Sequence, residues 1–191
     1  MWMTSWTRPL ALGVTCATLI GATASAQDAL HLASPDGRNE VTVAIREGQL
    51  YYSLQRDGRA LLLPSQLGFE LRGAQPLRDG LRVADTAAKT VDQTWTQPWG
   101  EVARVRDHHK ELRISVAETA LPGRRFVVVF RAFNDGVGFR YEFPEQPNLR
   151  EFAITDELTQ FSLADDARAW WIPSSRSRLD RSEMLYSSSP V

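Results

Sequence analysis

Apolar and polar residues alternate strictly along several runs of this chain, and that constrains its fold more than any other feature. Val41, Val43 and Ile45 alternate with Thr42 and Ala44, and Leu50, Tyr52 and Leu54 alternate with Tyr51, Ser53 and Gln55. Leu112, Ile114 and Val116 flank Arg113 and Ser115, while Val137, Phe139, Tyr141 and Phe143 flank Gly138, Arg140 and Glu142. Successive side chains of a strand point to opposite faces, so each run offers one face to a core and one to solvent. Phe126 to Phe130 breaks the pattern with five apolar residues in succession, which predicts a strand buried on both faces. Turn residues punctuate the runs at Pro35-Asp36-Gly37, Glu47-Gly48, Asp57-Gly58, Asp79-Gly80, Pro122-Gly123 and Asn134-Asp135-Gly136. Glu47-Gly48 and Asp57-Gly58 predict tight hairpins. No amphipathic helical pattern follows residue 26. Residues 150–166 fit neither template well, although Thr159, Phe161 and Leu163 alternate. Many short strands at this spacing predict an all-β sandwich or barrel.

Residues 1–26 stand apart from this pattern. Arg8 is their only charged residue, an apolar run spans Pro9 to Ala22, and Ala24-Ser25-Ala26 places small residues before Gln27. These are the parts of a secretory signal peptide. The run is shorter than the ~20 residues of a spanning helix, so no membrane partner is expected after cleavage. The expected product is one exported domain, residues 27–191, in the periplasm or outside the cell. Cys16 is the only cysteine and leaves with the signal, so core packing alone must hold the fold. A net charge of −1 leaves no electrostatic footprint for nucleic acid. The polar stretch Ser174 to Ser189 reads as a long loop that reaches the end of the chain without a closing element.

Few residues carry a chemical pattern. His108 and His109 are adjacent, so in a strand they face opposite ways and cannot share a metal; both are expected at the surface. Paired-carboxylate chemistry depends on the separation of two groups in space. Glu101, Asp135, Glu142 and Glu157 read as turn or strand-surface residues, or as partners of Arg140. No nucleophile elbow or phosphate-binding glycine loop is present. The aromatic residues are more telling. Trp95 and Trp99 flank Pro98, and Trp170-Trp171 precede Ile172-Pro173. Burial in the core or against another domain is their expected role, and stacking on sugar rings is the alternative. Trp170 and Trp171 cannot both face one core.

Three segments together resemble glycoside hydrolase family 97. Thr94-Trp95 with Pro98-Trp99-Gly100-Glu101 is similar to its T-W-x-x-P-W-G-E segment. Phe130-Arg131-Ala132-Phe133-Asn134-Asp135-Gly136-Val137-Gly138-Phe139-Arg140-Tyr141 is similar to its F-R-x-[YF]-N-D-G-[VI]-[AG]-F-R-Y segment. Glu157-Leu158-Thr159-Gln160-Phe161 and Ala169-Trp170-Trp171-Ile172-Pro173 match its E-x-T-x-F and A-W-x-x-P stretches. The resemblance covers nearly all of residues 27–191. It implies an amino-terminal β-super-sandwich resembling the galactose mutarotase fold, followed in the family by a catalytic (β/α)₈ barrel. It also implies α-glucosides or α-galactosides as substrates, and a calcium ion held by glutamates in the full-length enzyme. This chain has no His-Glu-Ala segment, where the family places a calcium ligand, and lacks the ~250 residues of a barrel. No catalytic, cofactor or metal residue is therefore carried over, and the chain is expected to be inactive alone. Trp99, Glu101, Arg140, Trp170 and Trp171 are the candidates for contact with oligosaccharide or with the missing barrel. The alternatives are a free-standing periplasmic sugar-binding sandwich and a secreted interaction module. A mutarotase-like epimerase ranks last, because the three histidines form no acid–base motif.

Overall fold

The computed structural model describes residues 29–172 and 185–191. The signal segment 1–26 and most of the polar stretch from Ser174 lie outside the described residues. Twelve strands are present among the described residues, and no helix. They are β1 (Leu30–Ala33), β2 (Asn39–Arg46), β3 (Gln49–Arg56), β4 (Arg59–Leu67), β5 (Phe69–Leu71), β6 (Leu81–Thr96), β7 (Arg104–Glu118), β8 (Arg125–Ala132), β9 (Val137–Glu142), β10 (Ile154–Glu157), β11 (Arg168–Trp171) and β12 (Ser187–Pro190).

Two four-stranded antiparallel sheets form the body, ordered β1-β2-β3-β4 and β6-β7-β8-β9. Their facing sides carry the alternating apolar residues. Val41, Val43, Leu50 and Leu67 from the first sheet meet Ile114, Val116, Phe126, Val128 and Phe130 from the second, all fully buried. Phe69 closes one end, its ring 5.8 Å from Phe126 and 4.6 Å from Tyr141 in edge-on contacts. Each such side chain contributes about 1.5–3 kcal/mol by leaving water, which is how the sandwich forms with no cysteine in its described residues.

The predicted hairpins are present. Glu47 and Gly48 have φ of 51° and 75°, and Asp57 and Gly58 have 51° and 78°. Both central residues lie at positive φ, as a two-residue turn matched to strand twist requires. Gly48 has a second constraint, since a Cβ there would stand 3.0 Å from the backbone nitrogen of Gly80.

The Phe126–Phe130 segment is buried on both faces, as its composition predicts. Phe126, Val128 and Phe130 point into the core. Val129 points outward, yet it is covered, because its cross-strand neighbours are Arg113 and Arg140. Their aliphatic stems lie over it while their charged ends meet Glu142.

In the later chain one open reading is settled and one expectation is corrected. Residues 158–164 run along β4: Leu158 N donates to Gly68 O (2.9 Å), Gln160 N to Gln66 O (3.0 Å) and Ala164 N to Leu61 O (3.1 Å). Backbone pairing with an open edge organises this segment more than its hydrophobicity does. The correction concerns the C-terminal stretch, which has a closing element. Ser187–Pro190 pairs with Arg168–Trp171 in register Arg168↔Pro190 to Trp171↔Ser187. Serine has low strand propensity, so the pairing was hidden from a pattern search.

A buried ion pair fixes the β7–β8 connection. Arg124 bonds Glu118 through its Nε (2.8 Å) and again through its terminal NH2 group. The same guanidinium donates to the carbonyl oxygens of Gln75 (2.9 Å) and Pro76 (3.4 Å), tying this connection to the loop before β6.

Candidate functional site

Strands β6 and β7 are longer than the sheet they belong to. β8 pairs with β7 only from Lys110 to Ala117. Six further β6–β7 pairs, from Val91↔His109 to Thr96↔Arg104, continue as a two-stranded ribbon. Gln97 closes its tip: its backbone nitrogen donates to Ala103 O (3.1 Å) and its side-chain Nε2 to Val102 O (2.5 Å). Gly100 lies beside it at φ 130°, where a Cβ would fall 2.6 Å from Gln97 Nε2. The Pro98-Trp99-Gly100-Glu101 segment is thus the ribbon's end.

This geometry corrects one part of the expectation for the tryptophans, burial in the core. Trp99 is 84% exposed at the tip and Trp95 is 49% exposed on the ribbon. Glu101 is exposed beside them. Trp170 and Trp171, on β11, are 68% and 46% exposed, on opposite faces as adjacency requires. None of the four fills the core. Apolar character had suggested burial, but Trp95 and Trp99 lie beyond the reach of the first sheet, and β11 pairs only with β12.

The root of the ribbon holds the strongest electrostatics. Asp107, His109 and Glu111 alternate along the outer face of β7. His109 is 1% exposed, against the expectation of a surface histidine. Its Nδ1 lies 2.5 Å from Asp107 Oδ1, its ring is 4.9 Å from that of Phe133, and its Nε2 is buried with no hydrogen-bond partner, 4.0 Å from Glu111 Oε2. His108 faces the other way, as predicted, with Nε2 4.0 Å from Asp92. Glu111, also buried, joins three strands by accepting from Lys89 of β6 (3.1 Å) and Arg131 of β8 (2.7 Å). Burial pushes its carboxyl up, but the bonds from Arg131 and Lys89 outweigh it and hold the group below the usual glutamate value. Further along the face, Glu142 accepts from Arg113 (2.5 Å) and from Arg140 Nε and NH2 (2.9 and 2.7 Å). The Arg113 bond first, and then Arg140, lower its pKa.

Among the described residues, every carboxylate with a resolved shift is shifted downward: Asp36, Asp57, Asp79, Asp92, Asp107, Glu111, Glu118 and Glu142. A general acid at neutral pH requires the opposite shift. Six of them anchor arginine or lysine side chains, whereas Asp36 accepts from Ser34 Oγ and Arg38 N, and Asp107 meets His109 and Gln93. Arg140 is spent on Glu142. Asp135 is an exposed turn residue, and Glu157 accepts from Thr159 Oγ1 (2.6 Å). Among the described residues no three His, Cys, Asp or Glu side chains converge so as to hold a metal ion.

The Asn134-Asp135-Gly136 motif has a structural role. Asn134 Oδ1 accepts from Asp36 N (3.1 Å), its carbonyl accepts from Arg56 (2.9 Å), and Asn39 Nδ2 donates to Phe133 O (2.8 Å). The β8–β9 turn is thereby fastened to the turns of the first sheet. Sequence reasoning missed the Asp107–His109–Glu111 series and the Arg124–Glu118 pair. Alternation of ionisable residues on β7 was the only available signal for the former.

Comparison with known proteins adds identity to this geometry. Residues 32–191 match the family described as Glycosyl-hydrolase 97 N-terminal. The chain is 26% identical over 144 residues to a retaining alpha-galactosidase of Bacteroides thetaiotaomicron, covering 75% of this chain and 20% of that protein. It is 32% identical over 128 residues to a probable retaining alpha-galactosidase of Streptomyces bingchenggensis, covering 64% and 18%. Among solved structures, a glycoside hydrolase family 97 enzyme from Pseudoalteromonas sp. strain K8 in complex with acarbose superposes with a TM-score of 0.78 at 33% identity, over 84% of this chain and 24% of that one. A beta-arabinopyranosidase structure shares the fold, with a TM-score of 0.70 at 22% identity. The chain thus spans about a fifth of the length of the curated relatives it matches.

Proposed function

The chain belongs to the glycosyl-hydrolase 97 N-terminal family, and on that premise we propose that it is the non-catalytic, carbohydrate-binding scaffold domain of an exported glycoside hydrolase acting on α-glucosides or α-galactosides. The observation that carries the reading is the exposed Trp99 at the end of a two-stranded ribbon, on which Trp95 is also exposed. An exposed indole offers a flat apolar face with a polar N–H at its edge, the kind of surface on which an amphipathic ring stacks. A pyranose ring is the proposed ligand, its C–H face stacked on the indole. The similar structure carrying acarbose supports an oligosaccharide as the ligand class.

Hydrolysis itself is assigned to the barrel of the longer enzyme, together with calcium. The scaffold role rests on the apolar residues left open at the edges, among them Phe161 and Leu163. Titration of the purified chain with maltotriose and with raffinose, followed by calorimetry, tests the binding reading. Saturable heat for wild type and a loss for Trp99→Ala are expected. Absence of binding to either sugar removes the carbohydrate role and leaves docking alone. Turnover of an aryl α-glucoside or α-galactoside by the pure chain would refute the non-catalytic assignment.

A further inference from the structure

We infer that the open edge of β6 is a surface for a second copy of this chain, the two copies pairing antiparallel through residues 85–89 with Ala87 at the centre. The inference does not depend on the carbohydrate reading above. β6 is the outermost strand of its sheet and pairs with β7 along one side. Residues 84–90 are all exposed. An edge strand presents a row of unpaired backbone N–H and C=O groups that another strand can join. The edge of β4 is covered in this way by residues 158–164. Among the described residues no segment bonds the backbone of β6 from Arg82 onward on the side away from β7.

The order of charges along the edge selects the occupant. Asp85 and Lys89 are the charged residues of this stretch, and they stand symmetrically about Ala87. Both lie on the face shared with Ser115 and Glu111, their partners on β7. Laid antiparallel with Ala87 against Ala87, Asp85 of each copy faces Lys89 of the other, and Thr86 faces Ala88. Two-fold symmetry makes each of these pairs twice in one contact. A slip of two residues loses both ion pairs, and a slip of one turns the side chains to opposite faces. Charges on an edge ordinarily turn other strands away. This order admits the chain's own edge in a single register. Asp85 is available for the contact, since it has no ion pair among the described residues. Lys89 Nζ lies 3.1 Å from Glu111, and its side chain is still 58% exposed. The bulge between Val83 and Asp85 bounds the matched stretch.

Sedimentation equilibrium of the full chain tests this, with Asp85→Lys, Asp85→Glu and the exchange variant Asp85→Lys/Lys89→Asp. Circular dichroism confirms that each variant keeps the fold. Wild type is expected to dimerise, and its amide exchange at residues 85–89 to slow as protein concentration rises. Asp85→Lys sets like charges opposite each other twice and should weaken association about tenfold. Asp85→Glu should retain association, and the exchange variant, which reverses both ion pairs, should recover most of it. A chain that stays monomeric up to about 0.5 mM leaves the edge to a strand of another protein and overturns the inference. A dimer as tight in Asp85→Lys as in wild type, or one whose exchange at residues 85–89 ignores concentration, is built on another surface and overturns it equally.

Discussion

Replacing Arg124 by alanine should cost more stability than any surface substitution in the chain. The guanidinium is almost wholly buried, and Glu118 beside it is 12% exposed. Alanine leaves that carboxylate without a cation and removes donors from the carbonyls of Gln75 and Pro76. Breaking one side of a buried pair typically costs about 3–5 kcal/mol. That is a large part of the roughly 5–15 kcal/mol that holds a domain together. At ~2–4 °C per kcal/mol for a chain of this size, the melting temperature should fall by about 6–20 °C. The double variant Glu118→Leu/Arg124→Met removes both charges and fills the space, so it should recover at least half of the loss. Thermal unfolding followed by circular dichroism reads both. The pair also sets an acid limit. Hydrogen bonding from Arg124 lowers the folded pKa of Glu118 below its usual 4.5. Its contribution is thus complete above that value and is lost as pH falls through the folded pKa. An Arg124→Ala melting point within about 2 °C of wild type would refute the argument. So would a double variant no better than the single one.

Gly48→Ala should destabilise more than Gly58→Ala. Both sit at positive φ, worth about 1–2 kcal/mol, but only the Cβ at 48 meets backbone, so equal urea midpoints would contradict the steric reading. Phe130→Ala opens a cavity between the sheets and should cost about 3–5 kcal/mol in chemical denaturation. Gly100→Ala should leave the melting temperature within about 2 °C, yet speed amide exchange at residues 97–103, because its Cβ displaces Gln97; unchanged exchange there would contradict this.

The strands of the sandwich were legible because alternation reports burial directly. Val41 to Ile45 and Leu112 to Val116 lie where the period places them, and the two tight turns were written in Glu47-Gly48 and Asp57-Gly58. What stayed hidden depended on partners distant in sequence. Ser187–Pro190 looks like a tail until Arg168–Trp171 lies beside it. His109 looks superficial until Phe133 covers it. The tryptophans misled for a related reason. Hydropathy reports a residue's preference for burial, whereas strand length carried Trp99 beyond the two sheets whose core could have held it.

The six residue pairs of β6 and β7 that run past the end of β8 make their ribbon a cantilever. At ~3.4 Å per residue its overhang is roughly 20 Å. The clamp is Glu111, gripped by Lys89 on one side and Arg131 on the other. A hinge rotation of about 10° at that clamp would carry the free end through roughly 3–4 Å, by simple leverage on the overhang. The location of Trp99 is therefore governed by three charged side chains at the root, and a change at Glu111 would be felt as misalignment at the far end of the beam.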